Sequence, residues 1–143
     1  MSDERTLHVE VVTPDGEVYH DDVAMVVLPG VDGELGILPR HQPLVTLLAI
    51  GETRIRRTTD EWDYIATGIG YAQVLFDKVL VVVDHGELAG AIDVARAEEA
   101  QTRAKDRMKE SGDLGAQAEV DYFRAEQALK RAENRLSVSR RAH

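Results

Sequence analysis

The chain has no cysteine among its 143 residues, so neither a disulfide nor a thiolate metal site holds its fold together, and a reducing compartment is compatible with it. No apolar run approaches the roughly 20 residues that cross a bilayer, and no basic stretch leads into an apolar run at the N-terminus. A soluble chain without a visible secretion signal is expected. Basic residues are in the minority, with 17 Lys and Arg against 26 Asp and Glu and a formal charge of −9. That balance disfavours a general nucleic-acid binder, which needs a basic surface against phosphate. Internal repeats and low-complexity segments are absent, and aromatic residues make up 5%, with Trp62 the single tryptophan.

Chemistry is sparse as well. The histidines, His8, His20, His41, His85 and His143, show none of the paired spacing of a zinc site, so no metal is expected and most are read as surface or loop residues. No Ser/His/Asp or Cys/His arrangement can be assigned, and nothing argues for catalysis. "LPGVDGELGILP" carries Gly30, Gly33 and Gly36 but lacks the Lys-Ser/Thr ending of a phosphate loop and opens onto a strand, not a helix N-terminus. "GIGYAQ" fails as a dinucleotide fingerprint for the same reason.

At this length, and with 43% hydrophobic residues, the chain is long enough to bury a working core as one domain or one domain with an appendage. Its charge divides it. Residues 1–88 hold 6 basic and 16 acidic residues, net −10, whereas residues 89–143 hold 11 and 10, net +1. The periodicity divides at the same place. Strand patterns run through "LHVEV", "VAMVVL", "PLVTLLAI", "TRIRR" and "VLVVVD", separated by Pro14-Asp15-Gly16, Pro29-Gly30, Asp32-Gly33, Gly51, Gly68, Gly70 and Gly86. Short β-branched runs with turn signals at roughly 8–12-residue spacing predict a sandwich or barrel, and the lack of intervening helices disfavours a parallel sheet with crossovers.

Past "HGELAG" the period becomes helical. Asp93, Arg96, Arg103 and Arg107 share one sector of a helix, and Ala97, Ala100, Ala104 and Met108 run beside it. On a second helix Ala118, Tyr122, Ala125, Leu129, Ala132 and Leu136 recur at steps of four and three, a seam for packing against another helix. "SGDLG", with Ser111, Gly112 and Gly115, separates the two. An αα-hairpin results, joined to the strand region through a short stretch from Leu88 to Ala91 that lets it move. Arg124, Arg131 and Arg135 share a sector of the second helix. These arginines admit two readings: a solvated face braced by i,i+4 pairs such as Glu99 with Arg103, or an anion site in which converging guanidinium forks hold a polyphosphate. Periodicity alone favours the first.

Three segments point to a family. "GELGILPRHQPLVTLL" (33–48), "IDVARA" (92–97) and "RAEQALKRAENRLSV" (124–138) together resemble the ε subunit of bacterial F-type ATP synthases, in order and over nearly the whole chain. The resemblance implies an antiparallel β-sandwich of about ten strands over 1–88, contacting the stalk and the c-ring, and a regulatory αα-hairpin over 89–143. It implies a non-catalytic subunit that joins gamma to the c-ring in ATP synthesis and proton transport. The hairpin either folds on the sandwich or extends along gamma into the alpha/beta hexamer and blocks hydrolysis. The implied location is peripheral, on the cytoplasmic face of the bacterial membrane. No cofactor is required; ATP, with or without magnesium, is the implied regulatory ligand.

"IDVARA" meets the family's ATP motif at Asp93 and Arg96. Arg103 follows by position in the helix, Arg131 and Arg135 by "KRAENRL", and Glu87 precedes the motif at a suitable distance. Glu34 and Leu35 are the implied c-ring contacts, in a projecting glycine-rich loop over 30–36. A free-standing ATP-sensing adaptor is the alternative, and a small enzyme has no residue constellation behind it. The segment "KESGDLGAQAEVD" and the tail "SRRAH" match no usable pattern.

Overall fold

A computed structural model describes residues 5–111 and 115–142; Gly112, expected in the helix break, and His143 lie outside them. Nine strands occur among the described residues: β1 Leu7–Thr13, β2 Gly16–Gly30, β3 Gly33–Ile37, β4 His41–Leu48, β5 Gly51–Arg57, β6 Trp62–Thr67, β7 Gly70–Phe76, β8 Lys78–Val83 and β9 Gly86–Leu88. The 15-residue β2 serves two layers. Its first half pairs with β1, which continues to β8, β7 and β4; its second half lies between β3 and β5, which continues to β6 and β9. Counted in both layers, β2 brings the strand positions to the ten implied by the resemblance. The register shift at Val23/Met25 marks where β2 bends from one layer to the other, as strands that turn sandwich corners do. The β1–β8 pair is parallel and every other pairing is antiparallel among the described residues.

Alternation builds the core. Leu7, Val9 and Val11 of β1, Val79, Val81 and Val83 of β8 and Ile55 of β5 are buried, with their neighbours turned outward, because successive strand side chains face opposite ways. They join Val23, Leu28, Ile37, Leu48, Ile65 and Val74 in one cluster drawn from strands alone. The turn signals are mostly in place, with one exception: Pro29-Gly30 closes β2, and the reversal falls on Val31-Asp32. Gly33 follows at φ +128°, which favours glycine.

Helix α1 spans Val94–Glu110 and α2 Ala116–Ser139, after a 3-10 turn at Ala89–Ala91. Asp93 starts α1: its carboxylate accepts from the Arg96 N–H at 3.1 Å, satisfying one of the donors a helix leaves unpaired at its N-terminus. Ser111 ends it, its N–H donating to the Arg107 carbonyl at 3.0 Å. The small-residue stripes meet as expected, with Ala97 and Ala104 of α1 and Ala125 and Ala132 of α2 buried. Tyr122, placed on the α2 seam by its spacing, is exposed, because the closest packing lies farther along, between Ala125 and Ala132. The tail continues as a 3-10 turn over Arg140–Ala142.

The hairpin is folded down on the second layer. Val138 is buried with Ala66 of β6, Ala89 and Ile92, and Tyr64 packs beside them. Asn134 donates from Nδ2 to the Gly51 carbonyl at 2.8 Å. The Thr67 hydroxyl donates to that same carbonyl at 3.3 Å. Thr67 therefore has no proton left for Thr53, so Thr53 must donate to it across their 2.9 Å contact.

Candidate functional site

Where the hairpin meets the sandwich, a cleft of about 450 Å³ opens, within the usual range for small-molecule sites. Its walls come from four elements. Asp15 and Glu17 stand at the β1–β2 turn, His85 and Glu87 at β9, Asp93 and Arg96 at the start of α1, and Arg135 on α2. Of the sequence-predicted residues, Glu87, Asp93, Arg96 and Arg135 are thus brought together.

Charge in the cleft is mixed. Arg135 Nε lies 2.7 Å from Glu87 Oε1, yet its N–H is not aligned on that oxygen and the buried nitrogen has no hydrogen-bond partner. Asp93 is engaged by the helix N-terminus and Glu17 by His20 at 3.0 Å. Arg96 is exposed and in no ion pair with a described side chain. An anion could therefore use Arg96 directly, Arg135 by sharing it with Glu87, and the positive end of the α1 dipole.

Sequence reasoning missed His85. Covered only by the general expectation of surface or loop histidines, it does lie in the β8–β9 connection, yet it is only 20% exposed, with Nδ1 2.8 Å from Asp84 Oδ1 and Nε2 buried without a partner. Burial chiefly lowers its pKa; the fields of Arg135 and Arg131 lower it further, while Asp84 and Glu87 oppose them. The available signal was its spacing of two from Glu87, since alternate residues of an extended chain share a face.

The remaining arginines do not converge. Arg131 is half-buried one turn before Arg135, close enough to act on His85 but outside the cleft wall. Arg103 lines a separate depression with Glu98, Glu99 and Thr102, and Arg107 and Arg124 line another at the far end of the hairpin, together with Glu110 and Asp121. The reason is axial: at a rise of 1.5 Å per residue, Arg96 and Arg107 stand about 16 Å apart despite sharing a sector.

The implied c-ring contacts can be placed as well. The glycine-rich stretch 30–36 is mainly the β2–β3 hairpin. Within it, Glu34 is exposed and bound to Arg54 Nη2 at 2.9 Å, but Leu35 packs against the core, since a two-strand ribbon turns alternate residues inward. Val31 is the exposed apolar residue at the tip.

A second surface feature lies on the other layer. Val45 and Leu47 of β4 are 68% and 64% exposed, and Tyr71, Leu75 and Phe76 of the neighbouring β7 are also exposed. Phe76 is held at φ +55°, an uncommon conformation for a bulky residue.

Residues 6–89 match the ATP synthase delta/epsilon chain β-sandwich domain, and residues 91–140 match the long α-helix domain of the same chain. An ATP synthase epsilon chain from Halalkalibacterium halodurans is 46% identical over 136 residues, 95% of this chain and 98% of that one. The chain belongs to the ATP synthase epsilon family. A second epsilon chain, from Alkalihalophilus pseudofirmus, is 47% identical over 94% of this chain and 97% of its own length. In fold, the chain resembles a chain of the Euglena gracilis mitochondrial ATP synthase OSCP/F1/c-ring assembly, with a TM-score of 0.76, 19% identity and coverage of 96% and 82%. Both halves of this epsilon-family chain, and not the sandwich alone, are therefore shared with its relatives.

Proposed function

We propose that the chain is the non-catalytic epsilon subunit of a bacterial F-type ATP synthase, joining gamma to the c-ring at the cytoplasmic face of the membrane. The observation that carries this reading is the identity of 46% that runs through sandwich and hairpin alike to a relative named ATP synthase epsilon chain. The exposed apolar face of β4 and β7 supports it, because a patch of large side chains on a soluble sheet marks a protein contact. On this reading that face meets gamma, and the β2–β3 tip around Val31 and Glu34 rests on the c-ring. Co-purification tests it: the tagged chain should carry gamma with it, and a cysteine at Glu34 should crosslink to a c subunit. Retention of neither would favour the free-standing adaptor.

The hairpin is the regulatory part. Folded down, it completes the cleft; extended toward the alpha/beta hexamer, it opposes hydrolysis. ATP in the cleft would touch both α1 and α2 and so favour the folded form by its differential affinity for the two states. Asp93, Arg96, Arg135 and Glu87 are the contacts the geometry supports, with Arg131 behind them.

A further inference from the structure

The cleft carries more negative than positive side chains, and this bears on any anion that enters it. Asp15, Glu17, Glu87 and Asp93 are opposed by Arg96 and Arg135. A polyphosphate brings several more negative charges into a partly water-excluded space, so its binding favours the arrival of another positive charge at the same place. His85 is the one lining group able to gain that charge near neutral pH.

We propose that His85 takes up a proton when a polyphosphate enters the cleft, so that the folded hairpin holds nucleotide more tightly as pH falls. The inference rests on the nucleotide reading above and assigns a proton-coupled regulation to that site.

The ring is already positioned. Gly68 N–H donates to the His85 carbonyl at 3.0 Å, and a Cβ on Gly68 would collide with the His85 ring and with the Asp84 carboxylate. The absence of a side chain at Gly68 therefore leaves room for the pair. Asp84 Oδ1 lies 2.8 Å from Nδ1, a charge contact that is not aligned as a hydrogen bond and whose field favours the protonated ring. Nε2 is the buried atom without a partner. Protonation of the ring places a positive charge in the cleft wall, which the field of an arriving polyphosphate stabilises.

The surrounding groups define the direction of the effect. Asp84 stands beside the ring, Glu87 comes from β9, and Arg131 and Arg135 come from α2. Asp15 and Glu17 lie at the β1–β2 turn, and Asp93 and Arg96 on α1. Without a bound anion, burial and the two arginines hold His85 below its ordinary pKa of 6.5. A polyphosphate in the cleft offsets the field of Arg135 and stabilises the imidazolium, raising the pKa in the complex. Between the two values affinity strengthens as pH falls, by at most about tenfold per pH unit for one proton.

The test is calorimetric titration of the full chain with ATP at about pH 6, 7 and 8, in buffers of different ionisation enthalpy, for wild type and His85→Gln. The terminal phosphate of ATP titrates in the same range but contributes equally to both proteins. Wild type should take up more protons per ATP than His85→Gln, and the variant should lose several-fold affinity at pH 6 while changing little at pH 8. A side-chain NMR titration of wild type should show the His85 pKa rising at saturating ATP. ATP binding with equal proton uptake in both proteins, or an unmoved His85 titration, overturns the proposal and leaves the nucleotide reading standing. Failure of wild type to bind ATP at any of these pH values overturns both.

Discussion

Glu87 on the last strand of the sandwich and Arg135 on the second helix lie 2.7 Å apart, and this ion pair ties the hairpin to the sheet inside the cleft. Each partner is about one-third exposed, at 32% and 30%, so solvent weakens the pair and its main consequence is to orient the guanidinium fork. Arg135→Ala should weaken ATP binding more than Glu87→Gln, since the first removes the cation and the second only the group that aims it. The two dissociation constants, measured by calorimetry, check the order.

The Gly51 carbonyl accepts from both Thr67 and Asn134, which makes it an anchor for α2 on the sandwich. Asn134→Ala should cost about 0.5–1.5 kcal/mol of hairpin docking. Hydrogen exchange would register this as several-fold faster opening of α2 amides, with the β1 and β8 amides unchanged. Arg141, which reaches Glu52 at 3.2 and 3.3 Å and lies over the Tyr64 ring, is exposed; Arg141→Ala should have a smaller effect that fades with added salt.

Removal of everything after Leu88 should leave a folded sandwich, because its main core is drawn from strand residues alone. The truncation uncovers Ala66 and Tyr64, which the hairpin otherwise packs against. Circular dichroism should keep its strand signal and lose its helix signal. Collapse of the near-ultraviolet signal on truncation would place the domain boundary elsewhere.

His8 is hydrogen-bonded to Asp22 at 2.9 Å and to Glu10 at 3.1 Å, and these bonds, the Asp22 bond foremost, raise its pKa above 6.5. A raised folded-state pKa means that the stabilisation is complete below the unfolded value and is lost as pH rises through the folded one. Wild type should therefore lose stability relative to His8→Gln as pH rises through that window. Denaturant midpoints across pH 5 to 9 measure it, and the exposed ring implies a small difference.

Val45→Glu should disturb association with gamma while leaving the sandwich stable, since Val45 faces solvent. Co-purification together with a melting curve separates the two effects.

The strand half was legible where one face is buried and the other wet. β1 and β5 announce themselves by alternation, whereas β6 does not, because Ile65 enters the sandwich core while Ala66 is covered by the hairpin. With both faces buried the period vanishes. β3 was hidden in a glycine-rich stretch that reads as a loop, although Ile37 is fully buried. The helical stripes were legible in rotation but not in translation, so Ala97 and Ala132 were placed correctly while Arg103, expected beside Arg96, lines a separate depression. His85 became visible only when the fold set α2 beside β9, a contact between residues about 50 positions apart.

The claim that the folded hairpin and the sandwich together form a nucleotide cleft is tested most directly by titrating ATP into the wild-type chain, Arg96→Ala, Arg103→Ala and Arg140→Ala. Loss of one charge-assisted contact should cost about 1.5–3 kcal/mol, roughly tenfold or more in affinity. Arg96→Ala should show that loss, Arg103→Ala much less because it lies outside the cleft, and Arg140→Ala almost none. Equal affinity for wild type and Arg96→Ala would contradict the account and return the arginine stripe to a solvated helix face.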